Sequence, residues 1–163
     1  MSCRSRNCCR FNHPCPIWCP CARRVCTNEV VNPIISESFG FFNNTSIGTV
    51  APDATLPLSL ITLSGSGIAP NSSGGILLSS GTYQISYFAN GTIPASGVVG
   101  VKLQLNGVDV SGSDIFENGT ISNLVTMSQT ILLSVNQTAT LELVNASNDA
   151  AAYSLGSILI RRI

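Results

Sequence analysis

The chain has 163 residues, about one domain's worth, and its eight basic and eight acidic residues cancel. Only 10% of its residues are charged, against roughly 25% in an average globular protein, and so little charge favours association over colloidal repulsion. No apolar run approaches the roughly 20 residues of a membrane-spanning helix, which excludes a transmembrane helical protein.

All seven cysteines lie at the start of the chain: Cys3, Cys8, Cys9, Cys15, Cys19, Cys21 and Cys26. They therefore cannot staple the remainder of the chain, and their odd number leaves at least one thiol without a partner in its own chain. Adjacent cysteines seldom reach good disulfide geometry with each other, so Cys8 and Cys9 are suited to reaching two different neighbours. We expect interchain disulfides. Pro14, Pro16 and Pro20 forbid a continuous helix through this stretch. Ile17 and Trp18 are its bulkiest apolar residues and are candidate docking anchors. Residues 1–26 thus form a Cys-rich N-terminal connector, and residues 27–38 (TNEVVNPIISES) a linker.

Metal and catalytic readings of the connector are weaker. Cys15, Cys19, Cys21 and Cys26 with His13 would supply enough ligands for zinc, but their spacing does not match paired C-x2-C knuckles. A Cys–His catalytic pair would lack a pocket, and no orienting acid stands near His13. Nor do the tail arginines come with a base-reading pattern. We expect no enzyme activity, no cofactor and no bound metal.

The charge is split along the chain. Arg4, Arg6, Arg10, Arg23 and Arg24 precede the first acid, Glu29, so the connector carries about +5. The remainder sets eight acids against Lys102, Arg161 and Arg162, about −5. The tail of one subunit is either drawn to the body of another or simply kept soluble by its arginines.

From residue 39 to 163 the pattern is that of strands. Phe39 and Phe41 share one face of a first strand. Leu56, Leu58 and Leu60 repeat at period two around Pro57, which predicts an edge position. Ile76-Leu77-Leu78 leads through a Ser79-Ser80-Gly81 turn into TYQISYFA, where Tyr83, Ile85 and Tyr87 share one face. Val99, Val101, Leu103 and Leu105 alternate with Gly100, Lys102 and Gln104 up to Asn106-Gly107, a strong hairpin signal. Further strands are expected at Ile131–Val135, at Ala139–Leu143 and from Leu155 to the end, with Leu155, Ile158 and Ile160 buried and Arg161 and Arg162 emerging. The total is about eight to ten short strands and no amphipathic helix, an all-β sandwich or jelly roll. Asp53, Asp109, Asp114, Glu117, Glu142 and Asp149 are scattered, mostly beside turns, without a calcium-loop motif. The N-x-S/T sequons at Asn43, Asn44, Asn71, Asn90, Asn118, Asn136 and Asn145 are attributed to chance in a chain so rich in Asn, Ser and Thr.

The order SFGFFN, GTYQISYFA, VGVKLQLNGVDVSGS, SQTILLSVNQTATLELVNAS and SLGSILIRRI resembles the C1q/tumour-necrosis-factor-like jelly roll, and in particular its bacterial spore-surface versions from Bacillus. No Gly-X-Y stalk precedes the domain. In its place the Cys-rich connector resembles those of endospore appendage subunits. The resemblance implies a homotrimeric jelly roll, with trimers linked head to tail into a thin fibre on the spore surface, in the exosporium or an appendage. The alternative is an exosporium-anchored trimeric module that displays loops to a ligand. With no secretory signal in the sequence, synthesis in the mother-cell cytosol and later exposure to an oxidising exterior are expected. The expected partners are further copies of the chain and spore-surface anchor or tip proteins, not nucleic acid or membrane. Residues 1–32 extended would span up to roughly 100 Å, enough to cross a body whose radius of gyration is about 14 Å.

Overall fold

A computed structural model describes residues 37–163. The seven cysteines, His13, Ile17 and Trp18, and with them the connector and most of the linker, lie outside the described residues.

The described residues form twelve strands: β1 (Phe39–Asn44), β2 (Gly48–Val50), β3 (Ser59–Ser64), β4 (Ile68–Pro70), β5 (Ile76–Leu78), β6 (Gly81–Thr92), β7 (Val98–Leu105), β8 (Val108–Asp109), β9 (Ile115–Asn118), β10 (Leu124–Val135), β11 (Ala139–Asn145) and β12 (Ala151–Arg162). They pair into two six-stranded antiparallel sheets. The first runs β10-β6-β12-β1-β3, with β2 also on β12; the second runs β4-β5-β11-β7-β8, with β9 also on β7.

The long strands follow from alternation. In β6 every odd residue from Tyr83 to Gly91 is buried and every even one is partly exposed, as a pleated strand with one face in the core requires. Its pairing with β10 runs unbroken from Thr92↔Leu124 to Gly81↔Val135. Asn106 and Gly107 carry φ values of 52° and 76° and join Leu105 to Val108 as a two-residue turn. Both central residues have positive φ, the geometry that matches the twist of a hairpin. The core between the sheets is built from Phe42, Tyr83, Ile85, Tyr87, Leu103, Leu141, Tyr153, Ile158 and Ile160, among others.

Four expectations need correction. The strands number twelve, and β6, β10 and β12 are each 12 residues long. Leu56 and Leu58 do not belong to a strand with Leu60. Thr55 bridges Val144, and Leu56 N–H donates to the Leu143 carbonyl at 2.8 Å. The chain thus runs along β11 of the second sheet and drops Leu56 and Leu58 into the core before β3 rejoins the first sheet at its edge. Leu155 is only half-buried, because a bulge between Tyr153 and Leu155 shifts the β12–β6 register. Arg162 does not simply emerge: its Nη2 turns back to the Ser80 carbonyl at 2.7 Å.

Candidate functional site

Each strand of the first sheet sends alternate side chains away from the core, and register sets these into rows. Thr130, Ser86, Leu159, Phe41 and Thr62 are successive partners across β10, β6, β12, β1 and β3. On one side lie Ser128, Phe88, Ser157 and Asn43. On the other lie Leu132, Gln84, Arg161, Phe39 and Ser64. Arg161 is the one charged side chain in these rows, and its Nη2 stands 3.5 Å from Glu37 Oε2.

The middle of this face is a shallow depression of about 460 Å³ lined chiefly by Phe41, Phe88, Leu159, Ser86, Ser128, Thr130 and Ser157. Ser86 and Thr130 share a hydrogen bond at 2.8 Å, and Thr126 Oγ1 donates to Asn90 Oδ1 at 2.9 Å. The hydroxyls are therefore partly spent on one another, which lowers the cost of removing them from water. Leu159 remains 40% exposed and Leu132 70%. Asn43 Oδ1 is buried without a hydrogen-bond partner among the described residues. The face thus combines exposed apolar side chains with hydroxyls that are partly paired among themselves, and carries almost no charge.

Behind this face, three buried tyrosines tie loops to the core. Tyr153 Oη donates toward the Gly100 carbonyl and Asn145 Oδ1, both at 2.7 Å. Asn145 is itself fully buried. Its Nδ2 donates to the Val50 and Asp149 carbonyls, and its Oδ1 accepts from Ser147 N–H at 2.8 Å. Tyr87 Oη lies between the Ser113 carbonyl and Gln129 Oε1. Tyr83 Oη donates toward the carbonyls of Ser79 and Gly67.

Burial pushes the Tyr153 phenol up to about 12, against a weaker lowering by its Ser147 hydrogen bond. Tyr87 is pushed further above the ordinary 10.0 by burial and then by the Asp114 charge. Tyr83 is also raised by burial, opposed by the Arg162 guanidinium and the Ser79 hydrogen bond. Raised phenol pKa values stabilise the fold fully below about pH 10, and that contribution falls as pH climbs toward the folded-state values. We therefore predict constant stability from neutral pH up to about pH 9 and a steep loss above about pH 10, on the order of 2 kcal/mol from Tyr153 alone. Phenolate absorbance and the β-sheet dichroism should change together in an alkaline titration. Phenolate appearing near pH 10 with the sheets intact would contradict the buried network.

The outer face of the second sheet is different in character. Lys102 Nζ reaches Asp53 Oδ1 at 2.8 Å and Asp109 Oδ2 at 3.1 Å, and Gln104 Nε2 donates to Asp109 Oδ1 at 2.8 Å. The Asp53 and Asp109 hydrogen bonds raise the Lys102 pKa. The Gln104 bond and then the Lys102 bond lower that of Asp109. Asp109 ends β8, Glu117 sits on β9 and Glu142 on β11, where Glu142 Oε1 accepts from Thr55 Oγ1 at 3.1 Å, so these three acids are strand residues and not loop residues. Among the described residues no three His, Cys, Asp or Glu side chains come together to hold a metal ion.

The sequence reading missed the uncharged face as a unit and the Asn145–Tyr153 hub. The alternation of Gln84, Ser86 and Phe88 carried the signal for the face; nothing in the sequence singled out Asn145 from the other sequons.

No family model matches the chain, and no curated protein matches it. Solved structures do. Eiger TNF from S. frugiperda is 11% identical with a TM-score of 0.61, covering 78% of this chain and 93% of that one. Murine APRIL at pH 8.5 is 8% identical with a TM-score of 0.61, covering 78% and 99%. The globular domain of zebrafish complement 1qA is 11% identical with a TM-score of 0.54, covering 78% and 96%. At such identities the likeness concerns architecture alone, and it agrees with the two antiparallel sheets: the described residues fold as a C1q/TNF-like jelly-roll sandwich.

Proposed function

We propose that this chain is a non-enzymatic structural subunit of a bacterial endospore surface fibre. Its bodies associate as a homotrimer through the outer face of the first sheet. Its N-terminal connectors then link trimers head to tail, with interchain disulfides among Cys3, Cys8, Cys9, Cys15, Cys19, Cys21 and Cys26, and with Ile17 and Trp18 docking on the next trimer.

The observation that carries this reading is the almost uncharged face around Phe41, Phe88 and Leu159, half-exposed in a single chain. A neighbouring copy would cover it. The C1q/TNF-like fold supports the threefold arrangement, and the confinement of all cysteines to the first 26 residues supports the covalent joint. The chain would be made in the mother-cell cytosol and act on the spore surface.

Sedimentation of the full-length chain with its thiols reduced should give three copies per particle. Leu159→Glu, at an exposed position, should give a folded single copy, because each neighbour would have to bury a carboxylate. Electron microscopy of oxidised wild-type protein should show filaments that become fragile on adding reductant. A single-copy wild type refutes the trimer; discrete trimers without filaments favour the exosporium-anchored binding module.

A further inference from the structure

Strand β3 is the outermost strand of the first sheet on the side away from β10, and among the described residues β1 is its only strand partner in that sheet. All six of its residues, Ser59–Ser64, are exposed, with Leu60 at 38%, Ile61 at 59% and Leu63 at 39%. An edge strand offers a row of free N–H and C=O groups to any other strand, and proteins usually blunt such edges with Lys, Pro or inward-pointing charge. None of these occurs in β3; its one irregularity is a register shift against β1, where Phe41 pairs with Thr62 and Phe42 with Leu60 and Ile61 is left over as a bulge. Pro57 falls before it, so all six backbone N–H groups are present.

The sequence of the strand is nearly its own mirror: Ser-Leu-Ile-Thr-Leu-Ser read backwards is Ser-Leu-Thr-Ile-Leu-Ser. An antiparallel second copy, with a twofold axis between Ile61 and Thr62, sets Ser59 opposite Ser64, Leu60 opposite Leu63 and Ile61 opposite Thr62. The bulge at Ile61 makes this register possible: Leu60 and Leu63 pair with Phe42 and Gly40, two residues on one face of β1, so the two leucines share a face although they are three apart. Every position then meets its like, and the central pair is β-branched on β-branched, a favourable cross-strand match. The two leucines are equally exposed and would cover one another. Neither strand brings a charge, so the acidic excess of the body does not set copies against each other at this edge. The contact is small beside the roughly 1,000 Å² that a stable interface clears. It would be weak between single chains and strong between particles that present several edges at once.

We infer that β3 is a self-pairing edge, through which two copies of the chain join their first sheets antiparallel into one continuous sheet. The inference does not rest on the threefold face, since β3 uses backbone groups at the rim of the sheet and not the side chains at its centre.

Hydrogen exchange on the full-length, thiol-reduced chain tests it at low and high protein concentration. Amides of residues 59–64 should gain protection as concentration rises, in step with a doubling of the sedimenting mass. Ile61→Lys, and Ile61→Glu as a second variant of opposite charge, should remove the gain and weaken the doubling by at least about tenfold, whereas Ile61→Val should keep both. Concentration-independent exchange in the open state overturns the inference, as does a doubling that leaves β3 unprotected. Equal protection at every dilution would assign the edge to a segment within residues 1–36 of the same chain and would likewise overturn it.

Discussion

Ile158→Asp should leave the body unfolded or insoluble, a loss of about 5 kcal/mol or more, comparable to the whole stability of an ordinary domain. Ile158 is completely buried and lies in β12, paired with Phe42 of β1 on one side and Tyr87 of β6 on the other. Both partners are core residues, and the buried polar residues described are Ser38, Ser113, Asn145 and Ser147, with no cation among them to pair with an aspartate there. Ile158→Val removes one methylene and should cost only about 1 kcal/mol. Soluble yield and the thermal melt of the two variants decide the matter. An aspartate variant that melts like wild type would mean that β12 is peripheral.

Asn145→Ala should cost about 3 kcal/mol and lower the melting temperature by on the order of 10 °C. The amide makes four hydrogen bonds from a fully buried position, joining the Val50 and Asp149 carbonyls to Ser147 N–H and the Tyr153 phenol. Alanine leaves several of those groups buried and unpaired. Tyr153→Phe deletes the phenol but keeps the amide and its other three bonds, and should cost about half as much. Denaturant midpoints that rank the two variants in the opposite order would place the hub on the tyrosine instead.

Part of this architecture is legible in the sequence because the physics is local. TYQISYFA and VGVKLQL alternate cleanly, and both become strands in register with their neighbours. Asn106-Gly107 takes the positive φ values that its turn requires. Other parts depend on partners far along the chain. Leu56 and Leu58 mimic a strand by spacing, yet β11 draws their backbone to the opposite sheet. Leu155 breaks the alternation of its strand because a bulge intervenes. The candidate face was harder to see than the core. Phe39 and Phe41 mark one side of β1, but the core takes Phe42 from the other, so apolar character on both sides hides which one faces a neighbour. Strand β9 went unread because three of its four residues, Phe116, Glu117 and Asn118, are exposed and follow no alternation. The connector residues follow from cysteine counting alone, and the described residues do not include them.

The pairing of β1 with β12, from Phe39↔Arg161 to Asn44↔Gly156, brings together the first and last strands of the described chain. These strands lie in the interior of the first sheet, with β12 between β6 and β1. That sheet is complete only once β12 has been made and has come back to β1, β2 and β6. Such distant pairings are the slowest contacts to form. The same delay acts on assembly. Ser157 and Leu159 belong to β12 and stand in the middle of the proposed trimer face. A chain that has not yet placed β12 therefore lacks the middle of the proposed face, so association through that face has to follow folding of the body.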